Sequence, residues 1–174
     1  LDILSFGLYN TRINKTKDGE KIMADQPNYT DAMVSELVAA YEDAPTRATV
    51  DEFADKFDKL ARGEITRLIV NMPPRHTKSE FASYLLPAWM VGRDPKLKII
   101  QATHTAELAV RFGRKAKNLI DSEDYSKIFK TTLQEDSKAA GRWETSQGGE
   151  YFAAGVGGAI TGRGADLLII DDPH

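Results

Sequence analysis

The sequence contains no cysteine among its 174 residues, which excludes disulfides and thiolate metal sites and fits a reducing compartment such as the cytosol. It has no apolar run near the ~20 residues that a membrane span needs, so we expect no membrane partner. Neither charge dominates: the formal net charge is −3, and any nucleic-acid contact must come from a local basic patch. With 41% hydrophobic residues, the chain can form one globular core.

Apolar segments of strand type alternate with segments of helical period, which predicts an α/β fold with a mainly parallel central sheet flanked by helices. We assign residues 1–63 to an N-terminal arm and helices, and residues 64–174 to the core. The predicted strands are 66–71, 97–102, 142–146, 150–155 and 167–170. The predicted helices are 33–41, 50–61, 79–92 (bent at Pro87), 105–121 and 123–129. The chain starts at Leu1 and stops soon after an apolar run, so we expect it to be part of a longer protein.

Residues 71–81, "NMPPRHTKSEF", join a predicted strand to a predicted helix but lack the two glycines that normally shape a phosphate-binding loop there. Such a loop needs inward-pointing backbone N–H groups, a lysine for the outer phosphates and a hydroxyl for magnesium. Proline has no N–H to donate. The amides must therefore come from Arg75, His76, Thr77, Lys78 and Ser79.

In this interpretation Lys78 holds the outer phosphates of a nucleotide and Ser79 ligates magnesium. Thr77 is harder to place, because glycine usually precedes this lysine and a β-branched residue resists a positive φ. The alternative is a plain strand-to-helix turn that happens to contain Lys-Ser.

Two aspartates end the last predicted strand. Asp171 and Asp172 follow the apolar run 167–170, and open α/β sheets bind ligands at the carboxyl ends of their strands. We expect Asp171 to face magnesium and Asp172 to orient or deprotonate the attacking water. This predicts that Lys78 and the aspartates meet across adjacent strand tips. The alternative is that Asp-Asp-Pro merely ends a strand.

Arg163, between two glycines just before the last strand, is either an arginine finger in its own or a neighbouring subunit or a turn residue paired with Asp166. A polar stripe on the 105–121 helix either contacts the DNA backbone or is a solvated face. Its members are Arg111, Arg114, Lys115 and Asn118. His104 is interpreted as a polar residue near a helix start.

The stretches "MPPRHTKSE" and "GGEYFAAGVGGAITGRGADLLIIDDPH" resemble the large terminase subunit of tailed bacteriophages, the motor that packs DNA into the procapsid. The resemblance runs from about residue 64 to the end of the chain. It implies a P-loop ATPase domain of the ASCE type, here truncated after the Walker B strand. A nuclease domain would follow only in the full-length parent.

The resemblance implies phosphate-loop roles for Lys78 and Ser79, the Walker B role for Asp171 and a catalytic acidic role for Asp172. It also implies that Arg75 senses or stabilises the γ-phosphate, and that Gln26 and Tyr29 lie where related ATPases contact adenine. ATP and Mg²⁺ are the implied cofactors.

The implied partners are double-stranded DNA, the small terminase subunit, the portal protein and further copies of the chain in a ring. The implied location is the host cytoplasm, transiently at the procapsid portal and not in the virion. Two alternatives stay open: a superfamily-two helicase-like ATPase, and a non-catalytic nucleotide-binding module. We expect the isolated chain to be a weak Mg-dependent ATP hydrolase, because strands that should support the last one are absent from it.

Overall fold

The chain folds as a mixed α/β protein around a six-stranded sheet. A computed structural model describes residues 4–10, 47–72, 77–137 and 139–173. The strands are β1 (Leu4–Asn10), β2 (Arg67–Met72), β3 (Lys98–Thr103), β4 (Arg142–Glu144), β5 (Glu150–Gly155) and β6 (Leu167–Asp171). The helices are α1 (Arg47–Ala61), a π-helical segment (Glu80–Leu85), α2 (Leu86–Arg93), α3 (Ala106–Ile120) and α4 (Glu123–Ile128). The predicted class is therefore confirmed, while the predicted helix 33–41 lies outside the described residues.

Most strands of the sheet run in one direction. The strand order is β2-β1-β6-β3-β5-β4, and β3 pairs in parallel with both β5 and β6. Strand β1 is antiparallel to both β2 and β6, so β2 points the same way as β6. Strand β4 is antiparallel to β5. The prediction of a mainly parallel sheet is thus confirmed.

Strand β1 was not predicted from the sequence. It lies between β2 and β6, with Phe6 level with both Val70 and Asp171. Apolar residues do recur at every second position, Leu4, Phe6 and Leu8, which is the period of a strand with one buried face. The consequence is that β2 and β6 are not neighbours, so the prediction of adjacent strand tips is wrong.

Helix α1 ends as its sequence predicted. Its apolar face is buried through Val50, Phe53, Phe57 and Leu60. Gly63 has φ +73 and its N–H bonds the carbonyl of Leu60 at 3.0 Å. A left-handed residue just past the last turn satisfies a carbonyl that the helix leaves unpaired, and glycine adopts that conformation at no steric cost.

The predicted helix 79–92 divides into the π-helical segment and α2. The N–H of Leu86 bonds the carbonyl of Phe81, five residues back. Pro87 then lies in the first turn of α2, where its missing N–H costs no hydrogen bond. The hydrogen-bond register therefore changes just before Pro87, while the bend predicted at Pro87 stays a prediction.

The main core lies on one face of the sheet. Ile99 of β3 is level with Tyr151 of β5 and Leu167 of β6, and all three side chains are buried. The indole of Trp143 stacks on Tyr151 with ring centroids 4.8 Å apart. Helical residues of the same cluster include Phe53, Phe81, Leu86, Trp89, Met90, Ala116 and Ile120. Burying each large apolar side chain contributes about 1.5–3 kcal/mol, so this layer fixes how the helices sit on the sheet.

Strand β6 differs from its prediction on one face. Leu167 and Ile169 are fully buried in the core, whereas Leu168 and Ile170 on the opposite face are half-buried. A continuous apolar run such as 167–170 predicts a strand covered on both faces. Within the described ranges, no helix is both long and apolar enough to cross a membrane.

Candidate functional site

Lys78 meets both aspartates at the carboxyl end of β6. Its Nζ donates a 2.5 Å hydrogen bond to Oδ1 of Asp172 and lies 3.3 Å from Oδ1 of Asp171. The Lys78 side chain is 4% exposed, that of Asp171 2% and that of Asp172 29%. Lys78 and Asp171 are therefore shielded from solvent, whereas Asp172 is partly accessible to it.

The parallel strands place this cluster at one edge of the sheet. Asp171 is level with Thr103, the last residue of β3, which is itself level with Gly155, the last residue of β5. Beyond the strand tips, the N–H of His104 donates to the carbonyl of Asp172 at 3.1 Å. The cluster therefore lies where open α/β sheets bind their ligands.

Lys78 reaches the cluster through a left-handed residue at the start of the helix. Thr77 has φ +61, the conformation that its β-branched side chain was expected to resist. The N–H of Phe81 bonds the carbonyl of Thr77 at 3.1 Å, so the first helical turn begins there. Asp172 is also left-handed, with φ +44. Such conformations cost of order 1–3 kcal/mol each and concentrate at functional sites, where the surrounding structure holds them.

The two oxygens of Asp171 have different environments. Oδ2 accepts a 2.7 Å hydrogen bond from the hydroxyl of Ser83. Oδ1 forms the ion pair with Lys78, yet its geometry makes no hydrogen bond, and the atom is buried with no hydrogen-bond partner among the described residues. The ion pair offsets its charge, but its lone pairs remain available. A buried carboxylate oxygen in this state is suited to bind a ligand.

The donor set fits magnesium bound together with phosphates. One lysine beside two carboxylates leaves a net formal charge of −1, which favours a cation. Mg²⁺ is usually held by one or two carboxylates, waters and substrate phosphates instead of a cage made only of protein groups. The described residues contain no group of three or more acidic, histidine or cysteine side chains placed to hold a metal by themselves. Asp171 and the half-buried Ser79, which directly follows Lys78, would be the protein ligands.

Two members of the predicted loop, Arg75 and His76, lie outside the described residues together with Pro73 and Pro74. The roles assigned to them stay predictions. The same holds for Gln26 and Tyr29.

Arg163 is not brought to the Lys78 cluster. Its guanidinium donates a 2.8 Å hydrogen bond to Glu150 and lies 4.0 Å above the Phe152 ring. Glu150 is level with Lys98 at the start of β3, whereas Asp171 is level with Thr103 at its end. At about 3.3 Å per residue these two rows are about 17 Å apart. A finger acting within its own subunit does not match this geometry.

The turn interpretation of Arg163 also named the wrong partner. Asp166, which was expected to pair with it, accepts a 2.9 Å hydrogen bond from the backbone N–H of Lys98. The ion pair of Arg163 is formed with Glu150 instead.

The polar stripe on α3 divides into exposed members and one half-buried member. Arg111, Arg114 and Asn118 are exposed. Lys115 is half-buried and donates a 2.5 Å hydrogen bond to Glu80, in the π-helical segment directly after Ser79. Lys115 thus connects α3 to the helix that carries Lys78 and is less available to an external ligand.

Sequence reasoning missed Ser83. This side chain is fully buried and contacts Asp171 directly. The available signal was a serine inside an otherwise apolar helix face, next to the buried Phe81 and Ala82. A buried hydroxyl needs a hydrogen-bond partner, but the sequence does not reveal which one.

Comparisons with family models, curated proteins and solved structures give no match to this chain.

Proposed function

We propose that this chain is the P-loop ATPase domain of a phage terminase large subunit, which hydrolyses ATP to move double-stranded DNA into a procapsid. The observation that carries the proposal is the contact of Lys78 with Asp172 and Asp171, from two motifs 94 residues apart. The resemblance in the sequence supplies the family. The left-handed Thr77 before the lysine adds support, because that position normally holds glycine in a phosphate loop.

Each residue of the cluster has a defined task in this proposal. Lys78 binds the outer phosphates of ATP, since a buried ammonium forms charge-assisted hydrogen bonds with phosphate oxygens. Asp171 and Ser79 hold Mg²⁺, which when bound neutralises charge that develops on the phosphates. Asp172, the most exposed member, orients the attacking water and accepts its proton.

ATP must displace an internal partner to bind in this way. The Lys78 ammonium already donates to Asp172, so phosphate oxygens compete with a carboxylate for the same donor. When Lys78 leaves Asp172 to bind phosphate, the Asp172 carboxylate becomes available to the attacking water. Binding of the nucleotide and activation of the base are therefore linked through one hydrogen bond.

The same hydrogen bond is the specific observation in favour of a second candidate, a non-catalytic nucleotide-binding module. If Asp172 stays paired with Lys78 when nucleotide is bound, the lysine competes with the attacking water for that carboxylate. Nucleotide binding without turnover, in the presence of Mg²⁺ and DNA, would support this second function.

The partners proposed with the motor are double-stranded DNA, the small terminase subunit, the portal protein and other copies of the chain. Exposed Arg111 and Arg114 on α3 are the candidate contacts for the DNA backbone. Because each neutralised phosphate releases counterions, binding through them would weaken steeply with salt.

The proposal is tested by titration calorimetry with a non-hydrolysable ATP analogue, with and without Mg²⁺, and by hydrolysis assays. Wild type should bind in a Mg²⁺-dependent manner, and Lys78→Ala should bind at least tenfold more weakly. Lys127→Ala is the matched control, since Lys127 is 69% exposed and forms an ion pair with Asp124, three residues earlier in the chain. Circular dichroism confirms that each variant folds. Equal binding by Lys78→Ala and wild type would refute the proposal.

A further inference from the structure

We infer that Ser83 is a positioning residue for the metal ligand Asp171, holding one carboxylate oxygen so that the other stays available to a divalent cation. The inference rests on the proposed function. It adds a residue for which neither the loop motif nor the resemblance gives a role.

The contact is built from two buried groups. Ser83 is fully buried and the Asp171 side chain is 2% exposed. The Ser83 hydroxyl donates its single hydrogen to Oδ2 at 2.7 Å. This bond fixes the rotation of the carboxylate, because Asp171 Oδ1 must then point away from Ser83, on the side where Lys78 Nζ lies 3.3 Å away.

The π-helical segment explains why Ser83 can reach Asp171 at all. Lys78 and Ser83 are five residues apart and both contact the same carboxylate. In an uninterrupted α-helix of 3.6 residues per turn, side chains five residues apart point about 140° away from each other. In a π-helix the hydrogen bonds reach five residues back and not four, so each residue turns through a smaller angle and the wider turn within Glu80–Leu85 rotates Ser83 towards the Lys78 side. Single π-helical turns of this kind are frequent at functional sites.

Oδ1 of Asp171 supplies the second observation. It is buried and has no hydrogen-bond partner among the described residues, although burial of an unsatisfied polar atom is unfavourable. Ser83 could satisfy only one of the two oxygens and it satisfies Oδ2. An arrangement that fixes the carboxylate but leaves one oxygen without a hydrogen bond is expected for a metal ligand supported by a neighbouring side chain.

The test compares Ser83→Ala with Ser83→Cys, which is slightly larger than serine and offers a weak S–H donor in place of the hydroxyl. Mn²⁺ replaces Mg²⁺, and electron paramagnetic resonance measures its affinity for the protein saturated with a non-hydrolysable ATP analogue. Analogue affinity in EDTA is measured in parallel, since it depends on Lys78 and not on the metal. Thr131→Val is the control, because it removes another buried hydroxyl, one that donates to the carbonyl of Val91, away from the aspartates.

We expect Ser83→Ala to weaken Mn²⁺ binding by about tenfold, the usual lower bound for losing a partner that orients a metal ligand. Ser83→Cys should show a smaller loss, and analogue affinity in EDTA should change less than twofold. Unchanged Mn²⁺ affinity in Ser83→Ala, or an equal loss in Thr131→Val, would overturn the inference while leaving the proposed function intact. Failure of wild type to bind the analogue at all would instead overturn the proposed function and this inference with it.

Discussion

The ammonium of Lys78 donates a 2.5 Å hydrogen bond to the carboxylate of Asp172. The lysine proposed to bind phosphate is therefore already paired with the residue proposed to activate water. Because the lysine is almost completely buried, water offers it little alternative solvation. A ligand that takes this lysine must replace the hydrogen bond with one of similar strength.

Removing the charge of Asp172 should strengthen nucleotide binding and abolish turnover. Asp172→Asn keeps the shape and tolerates the left-handed backbone. It makes the acceptor neutral, so Lys78 keeps a hydrogen-bond acceptor but loses the attraction of an opposite charge. We expect ATP-analogue affinity to rise about fivefold, and hydrolysis to fall by a factor of 10² or more, the usual contribution of a general base.

The control for this change is Asp124→Asn, at an exposed ion pair with Lys127, which should alter neither quantity. Weaker analogue binding in Asp172→Asn would contradict the competition between carboxylate and phosphate. Hydrolysis at the wild-type rate would contradict the role of Asp172 as base.

Replacing Thr77 by glycine should remove the strain of the left-handed backbone at this position. A left-handed conformation costs an L-residue roughly 1–2 kcal/mol, part of which glycine loses again through the entropy of the unfolded chain. We expect Thr77→Gly to be about 0.5–1 kcal/mol more stable in urea unfolding than Thr77→Ala. The alanine variant is the matched control, because it removes the hydroxyl and methyl groups but keeps the Cβ. Equal stability of the two variants would show that Thr77 is not strained.

Most strands, helix α3 and the meeting of Lys78 with Asp171 could be predicted from the sequence, because they depend on patterns within short segments. The period of apolar residues predicted α3 and the strands β2 to β6 within one or two residues. Polar groups directly after apolar strands meet at one edge in a parallel sheet, so the encounter of Lys78 with Asp171 was predictable without coordinates.

What the sequence did not reveal depends on the order of strands and on the winding of one helix. Nothing local indicated that β1 would insert between β2 and β6. The loop that carries Arg163 joins the carboxyl end of β5 to the opposite end of β6, and its residues could have lain near either edge. Ser83 reaches Asp171 through a π-helical segment, which side-chain periodicity based on 3.6 residues per turn does not predict.

Alkaline pH should destabilise the fold through two buried tyrosines. Burial raises the pKa of the Tyr125 and Tyr151 phenols above their ordinary value of 10.0. Their hydroxyls donate at 2.8 Å to the carbonyl of Ala88 and the side-chain oxygen of Gln101. Above about pH 10 the unfolded chain loses these protons while the folded chain keeps them, so stability is full below that pH and falls as pH rises.

The slope above about pH 10 should approach about 1.4 kcal/mol per pH unit for each phenol. Urea unfolding between about pH 8 and pH 11 measures it. Tyr125→Phe should lower the slope, because it removes one of the two groups. A slope unchanged by this substitution would contradict the assignment to Tyr125.

Arg163 should not act on ATP bound to its own chain. Its ion-pair partner Glu150 lies at the opposite end of the sheet from Asp171, and the Phe152 ring that it covers is in the middle of β5. We expect Arg163→Ala to leave analogue affinity within twofold and hydrolysis unchanged in dilute protein, where chains are separate. Glu150→Gln, which removes the charge that Arg163 pairs with, is the control and should behave alike. A large loss of hydrolysis in dilute protein would contradict this placement, whereas a loss confined to associated chains would indicate a role in a neighbouring subunit.

The most direct test of the account is cleavage of the backbone by a metal bound with nucleotide. Fe²⁺ replaces Mg²⁺ in the presence of ATP, and ascorbate with peroxide then cuts the chain close to the metal. If Lys78, Ser79 and Asp171 share one metal–triphosphate site, we expect nucleotide-dependent cuts in two segments, next to Ser79 and next to Asp171, and the loss of both in Lys78→Ala. Cuts at only one of these segments, or cuts independent of nucleotide, would contradict a shared metal–triphosphate site.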